Sequence, residues 1–106
     1  MSKRIILDCD PGHDDAIAIM LATSSSEIEL LGVTTVAGNS LLENTTRNAL
    51  IVLDMVGRPD IPVHSGRNAP LVRELITAAS MHGDGGLDGP VPAHPSRSAN
   101  PGSALE

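Results

Sequence analysis

The stretch Arg4-Ile5-Ile6-Leu7-Asp8-Cys9-Asp10-Pro11-Gly12-His13-Asp14-Asp15-Ala16 decides how this chain is read. A short apolar run ends in four carboxylates, Asp8, Asp10, Asp14 and Asp15, with Pro11-Gly12 breaking the chain between the two acidic pairs. An apolar run bounded in this way predicts a strand over Arg4 to Cys9, buried on both faces. Four like charges so close repel one another, and their proton affinities are pushed apart, unless something positive sits among them. A hard cation is the simplest remedy. Oxygen ligands with no His or Cys pair at metal spacing suit Ca²⁺ or Mg²⁺ far better than zinc.

Outward from that stretch the periodicity alternates between strand and helix. From Asp14, the residues Ile17, Met20 and Leu21 recur at helical spacing until Ser24-Ser25-Ser26, and two acids in the first turn suit the positive end of the helix dipole. Glu27 to Val36 reads as a second strand closed by Gly38-Asn39. Ser40 and Glu43 form a capping-box pair for a helix carrying Leu41, Leu42, Thr45, Leu50, Leu53 and Val56 as far as Gly57. Ile61 to His64 is a third strand, and Leu71 to Ser80 a further helix. This order implies right-handed crossovers and a parallel sheet. Ligands of such sheets bind outside the carboxyl ends of the strands, where Asp8 to Asp15 and Gly38-Asn39 both fall. Residues 81 to 103, with five Gly and four Pro, form a loop long enough to be functional or incompletely supported.

The string Asp8-Cys9-Asp10-Pro11-Gly12-His13-Asp14-Asp15-Ala16 resembles the DxDPGxDDA signature of the inosine-uridine-type nucleoside hydrolases. Val36-Ala37-Gly38-Asn39 and the loop His82-Gly83-Asp84-Gly85-Gly86-Leu87-Asp88-Gly89 resemble that family's next two motifs, in order. The resemblance is strongest over residues 3–90, and 91–106 read as loop. It implies an α/β fold, a parallel sheet with helices on both faces, of which residues 1–106 are an amino-terminal fragment. It also implies hydrolysis of the N-glycosidic bond of ribonucleosides to free base and ribose, in nucleoside catabolism and salvage. The cofactor implied is Ca²⁺.

By position in the motifs, Asp10 and Asp15 resemble the calcium ligands, Asp10 also taking a proton from the attacking water. Asp14 resembles the residue that hydrogen-bonds the ribose hydroxyls, and the resemblance would place Asn39 beside the calcium and the nucleophilic water in a substrate-binding role and Asp8 behind the ligands without touching the metal. His82 resembles a catalytic position near the nucleobase in pyrimidine-preferring members, while Asp84, Gly85 and Gly86 shape its loop. His13, His64 and His94 receive no role. The chemistry is coherent, because cleavage passes through an oxocarbenium-like state that anionic surroundings favour, while a metal supplies activated water at neutral pH.

Two other readings stand beside this one. A haloacid-dehalogenase-type phosphatase also follows a strand with Asp-x-Asp, which would make Asp8 a nucleophile in a Mg²⁺-dependent hydrolase, although Pro11-Gly12 and the second acidic pair depart from it. A non-catalytic truncated product that binds a cation is the other. A calcium EF-hand fails, since a loop starting at Asp8 puts His13 where Gly is required and Ile19 where the bidentate Glu belongs.

Composition sets the remaining bounds. The formal charge of −6 and only 7 Lys and Arg argue against a nucleic-acid partner. No aromatic residue is present, so the core must be built from Leu, Ile, Val, Ala and Met. The single Cys9 cannot form an internal disulfide and points to a reducing, cytoplasmic setting. The start of the chain does not read as a signal peptide, and no stretch approaches the roughly 20 apolar residues that span a membrane. The expected partners are a small-molecule ribonucleoside and, at full length, further copies of the chain in a homo-oligomer.

Overall fold

The computed structural model describes residues 2–78, 85–87 and 94–106. Five elements follow one another: β1 (Lys3–Cys9), α1 (His13–Ser24), β2 (Ile28–Thr35), α2 (Leu42–Met55) and β3 (Val63–Ser65). The strands are parallel, in the order β1-β2-β3. The α/β class and the parallel sheet with crossover helices are those read from the sequence.

Strand order without reversal has a geometric consequence, since two right-handed crossovers stepping the same way put their helices on the same face. Ala16, Ile19 and Ala22 of α1 and Ala49, Leu50, Val52 and Leu53 of α2 accordingly share one core with Leu30, Val33 and Val63 of the sheet. Where helices on both faces were expected, these two lie on one. On the far face, residues 101–104 and Glu106 border an open cleft together with Ile6, Thr34 and His64, and His64 Nδ1 lies 3.3 Å from Gly102 O. Each fully buried Ile, Leu or Val on the near face contributes about 1.5–3 kcal/mol, which lets aliphatic packing replace the missing aromatics.

β1 is corrected in one respect. Ile5, Leu7 and Cys9 pack on the core, but Arg4, Ile6 and Asp8 point away from it, and Ile6 is 62% exposed. The strand is therefore buried on one face. Its register with β2 shifts between Ile5 and Ile6, leaving Leu31 as the extra residue of a bulge.

α2 starts one residue later than the capping box suggests. Leu41 occupies the N-cap position with no side-chain cap, while Ser40 Oγ accepts a hydrogen bond from Asn44 Nδ2 at 2.9 Å. The helix ends where Gly57 predicted: Gly57 N–H donates to Asp54 O at 3.0 Å, Arg58 N–H donates to Leu53 O at 2.8 Å, and Gly57 takes a positive φ of 74°. This is a Schellman closure, and glycine is the residue that adopts its backbone without strain.

The helix expected over Leu71 to Ser80 does not form over residues 71–78, and 79 and 80 lie outside the described residues. Leu71, Val72 and Ile76 are exposed there, Val72 at 96%. A short helix without a surface to bury is marginal on its own propensity. The third strand is displaced to Val63–Ser65 because Pro62 has no N–H for the ladder. The outer edge of β3 is partly closed by the chain end: Asn100 N–H donates to Val63 O at 2.8 Å, Asn100 Oδ1 accepts from Val63 N–H at 3.0 Å, and Ala104 N–H donates to Ser65 O at 2.9 Å.

Candidate active site

Parallel strands deliver their carboxyl ends to one edge, and the loops after β1 and β2 meet there. Val36 N–H donates to Cys9 O at 3.1 Å, extending the ladder into both loops. Beyond it, Asn39 N–H donates to Asp10 Oδ2 at 2.8 Å and Asn39 Nδ2 donates to Asp10 O at 3.0 Å. Asp10 N–H in turn donates to Asp15 Oδ2 at 3.2 Å, so the acidic loop is closed on itself by the carboxylate in the first turn of α1. Asp10, Asp15 and Asn39 are thus brought together.

The approach of the two loops is close enough to dictate a residue type. A Cβ on Gly38 would lie 2.2 Å from Asp10 Oδ2 and 3.0 Å from its Cγ, so any larger side chain would displace the carboxylate. The turn that presents Gly38 is held from behind by α2, where buried Thr45 donates from Oγ1 to Val36 O at 3.0 Å and Thr35 and Thr46 share a hydroxyl contact of 2.7 Å. Gly38 N–H donates to Ser40 O at 3.1 Å, and Asn39 O accepts from Ala78 N–H at 2.8 Å.

The electrostatics follow from this crowding. Burial, then the negative charge of Asp14, then a hydrogen bond to Asp10 open to the neutral carboxyl, hold Asp15 above the usual carboxylate range. Burial and then the charges of Asp15, Asp8, Asp10 and Asp14 push the Cys9 thiol up to about 12. Both shifts have the same origin, partial burial among neighbouring carboxylates.

As a donor set, the two carboxylates fit a hard divalent ion in kind, and the Gly38 cradle fixes one of them. They do not complete its shell, because calcium takes about six to eight oxygens. Among the described residues no group of three or more His, Cys, Asp and Glu side chains is placed to hold a metal.

The other residues singled out from the sequence are more widely spread. Asp14 is exposed in the first turn of α1. Asp8 lies on the outward face of β1, where its Oδ1 accepts from Thr34 Oγ1 at 2.7 Å. His82 lies outside the described residues. Gly38 was read from the sequence only as a turn residue of the second motif, its steric need being invisible without its neighbour, and Asn48, a polar residue on the buried face of α2, escaped the sequence reading.

Fold and edge together define an α/β protein with an acidic site at the carboxyl ends of a parallel sheet. The profile of the inosine-uridine preferring nucleoside hydrolases matches residues 5–106, and the chain belongs to that family. A pyrimidine-specific ribonucleoside hydrolase of Photobacterium profundum is 55% identical over 106 residues, covering 100% of this chain and 34% of the relative. An uncharacterised protein of Schizosaccharomyces pombe is 58% identical over 103 residues, covering 97% of this chain and 33% of its own length. Among solved structures, a purine-preferring ribonucleoside hydrolase from Gardnerella vaginalis superposes with a TM-score of 0.88 at 38% identity, over 97% of this chain and 34% of that one. The chain therefore spans about a third of the length of the relatives it matches.

Proposed function

We propose that this chain supplies the acidic edge of a ribonucleoside hydrolase, which splits the N-glycosidic bond of a nucleoside to free base and ribose. The observation that carries the reading is the convergence of Asp15 and Asn39 on Asp10, whose carboxylate lies against a glycine with no room for a Cβ. Asp10 and Asp15 would hold Ca²⁺. When bound, such an ion lowers the pKa of water and makes it a competent nucleophile near neutral pH.

The protein's own groups do the rest. Asp10 is pinned at Oδ2 by the Asn39 amide and takes the proton that the attacking water releases. Asp15 holds the Asp10 backbone and keeps the two carboxylates in one place. Asp14, on the exposed first turn of α1, accepts hydrogen bonds from the ribose hydroxyls. Collected negative charge favours the oxocarbenium-like transition state over the neutral nucleoside. Asp8 stands behind the ligands, and His82 acts near the leaving base. That position favours pyrimidine nucleosides, as does the specificity named for the Photobacterium profundum relative. Residues 1–106 by themselves form a partial domain with little or no turnover, since two carboxylates leave most of the coordination shell to water.

A chimera tests the reading. In it, this chain replaces the matching third of the Photobacterium profundum hydrolase, and ribose release from uridine and inosine is followed with calcium present. Turnover that requires Asp10, with uridine preferred, is the expected result. A folded chimera that releases no ribose overturns the proposal.

A further inference from the structure

Asn48 sits in the middle of α2 on the face that packs against the core, in line with Thr45 and Val52, and is only 2% exposed. A polar side chain at such a place costs stability unless its hydrogen-bonding groups are satisfied. Both hydrogens of its amide are used. Asn48 Nδ2 donates to Pro11 O at 3.0 Å and to Gly85 O at 2.9 Å. Pro11 follows Asp10 directly in the acidic loop, and Gly85 belongs to the glycine-rich loop of the third motif. One amide therefore ties together two loops 74 residues apart, 37 to either side of it.

The far loop is shaped to receive this contact. Gly86 has a φ of 81°, and a Cβ there would lie 2.9 Å from Ser40 Cβ and 3.1 Å from Asn48 Nδ2. Leu87, next in sequence, is buried in the core cluster of α1, α2 and the sheet. An apolar side chain at 48 would fill the helix face as well as Asn but would take this donor from the buried Pro11 carbonyl and from the part-buried Gly85 carbonyl. The choice of amide thus serves the link between loops rather than packing.

We propose that Asn48 is a positioning residue that couples the acidic loop to the Gly85–Leu87 turn, so that occupation of the cation site at Asp10 and Asp15 is felt in the glycine-rich loop. The cation part rests on the function proposed above; the clamp between the loops does not.

Amide hydrogen exchange on the ¹⁵N-labelled chain, with and without calcium chloride, tests it. In the chain itself, calcium is expected to raise the protection of Gly86 and Leu87 by about threefold or more, and Asn48→Leu to lower their calcium-free protection by about tenfold relative to Ile51–Leu53 of α2. The calcium response should vanish in the same variant. Gly86→Ala, which keeps the sequence of α2 and crowds the Asn48 amide from the loop side, should reproduce both effects even if Asn48→Leu does not fold.

Protection at 86 and 87 that is unchanged, or that falls only in step with α2, overturns the clamp. So does a calcium response that survives in the variants, or calcium binding by calorimetry that leaves Gly86 and Leu87 of the unaltered chain unaffected. If no calcium binds at all, the functional proposal fails, and the calcium-free comparison still decides the clamp.

Discussion

Asn39 grips Asp10 twice, its backbone N–H on Oδ2 at 2.8 Å and its side-chain amide on the main-chain oxygen at 3.0 Å. The carboxylate and the peptide of Asp10 are therefore oriented by one residue from the loop after the next strand. Such preorganisation is what an acidic site needs before a cation arrives.

Gly38→Ala should break this arrangement without touching an acid. Its Cβ would overlap Asp10 Oδ2, so the carboxylate must rotate away. Calcium affinity by calorimetry should fall by about tenfold or more, with a loss of roughly 1–3 kcal/mol in urea unfolding from the strain. Unaltered affinity would show that Asp10 does not need its present rotamer.

Asp8→Asn separates the hydrolase reading from a phosphatase. Asp8 faces away from the core and accepts from Thr34 Oγ1, a contact that Asn can keep through its carbonyl oxygen. Ribose release by the chimera should persist at a reduced rate, within about tenfold of the parent. A phosphatase that used Asp8 as its nucleophile would lose all activity, and phosphate release abolished by this one change would overturn the assignment.

The acidic edge was legible because its chemistry lies in adjacent residues. Asp10, Pro11, Gly12 and Asp15 announce a strand end, a break and a helix start in one string, and the parallel sheet follows from alternating elements. What was not legible depends on partners far away in sequence. Ile6 looked like a core residue because an apolar run carries no sign of which face is covered, and strand order placed both helices on the other side. The segment after Pro70 has helical spacing but no surface to pack on. Asn48 was missed because its donors meet carbonyls 37 residues away in each direction, although a polar residue between Thr45 and Val52 on an apolar helix face was a usable signal.

Acid should loosen the chain end. The Ser96 hydroxyl, and then the Ser96 backbone N–H, hold the Asp54 carboxyl below the usual carboxylate range, through contacts of 2.7 and 2.6 Å. A carboxylate whose pKa is depressed by folding stabilises the fold above its unfolded value, near 3.9, and loses that contribution as pH falls through the folded value. Asp54→Ala should thus lower the urea midpoint near pH 7, and the two midpoints should converge as pH falls through the depressed folded value. A gap that persists in acid would assign the effect to something other than the charge.

Core truncation provides an independent check on the packing. Leu53 is fully buried on α2, and Leu53→Ala should cost about 2–5 kcal/mol in urea unfolding, a large share of the stability of a chain this small. A cost below about 1 kcal/mol would mean that α2 does not pack on the sheet as described.

The central claim is that Asp10 and Asp15 together form the cation site of a nucleoside hydrolase edge. Calorimetric titration of the chain with calcium near neutral pH measures it directly, alongside Asp15→Ala, Asp10→Ala and Asp8→Ala. The account predicts a single weak site, abolished by either of the first two substitutions and retained in the third. Calcium binding that survives Asp15→Ala unchanged, or that disappears with Asp8→Ala alone, would contradict it.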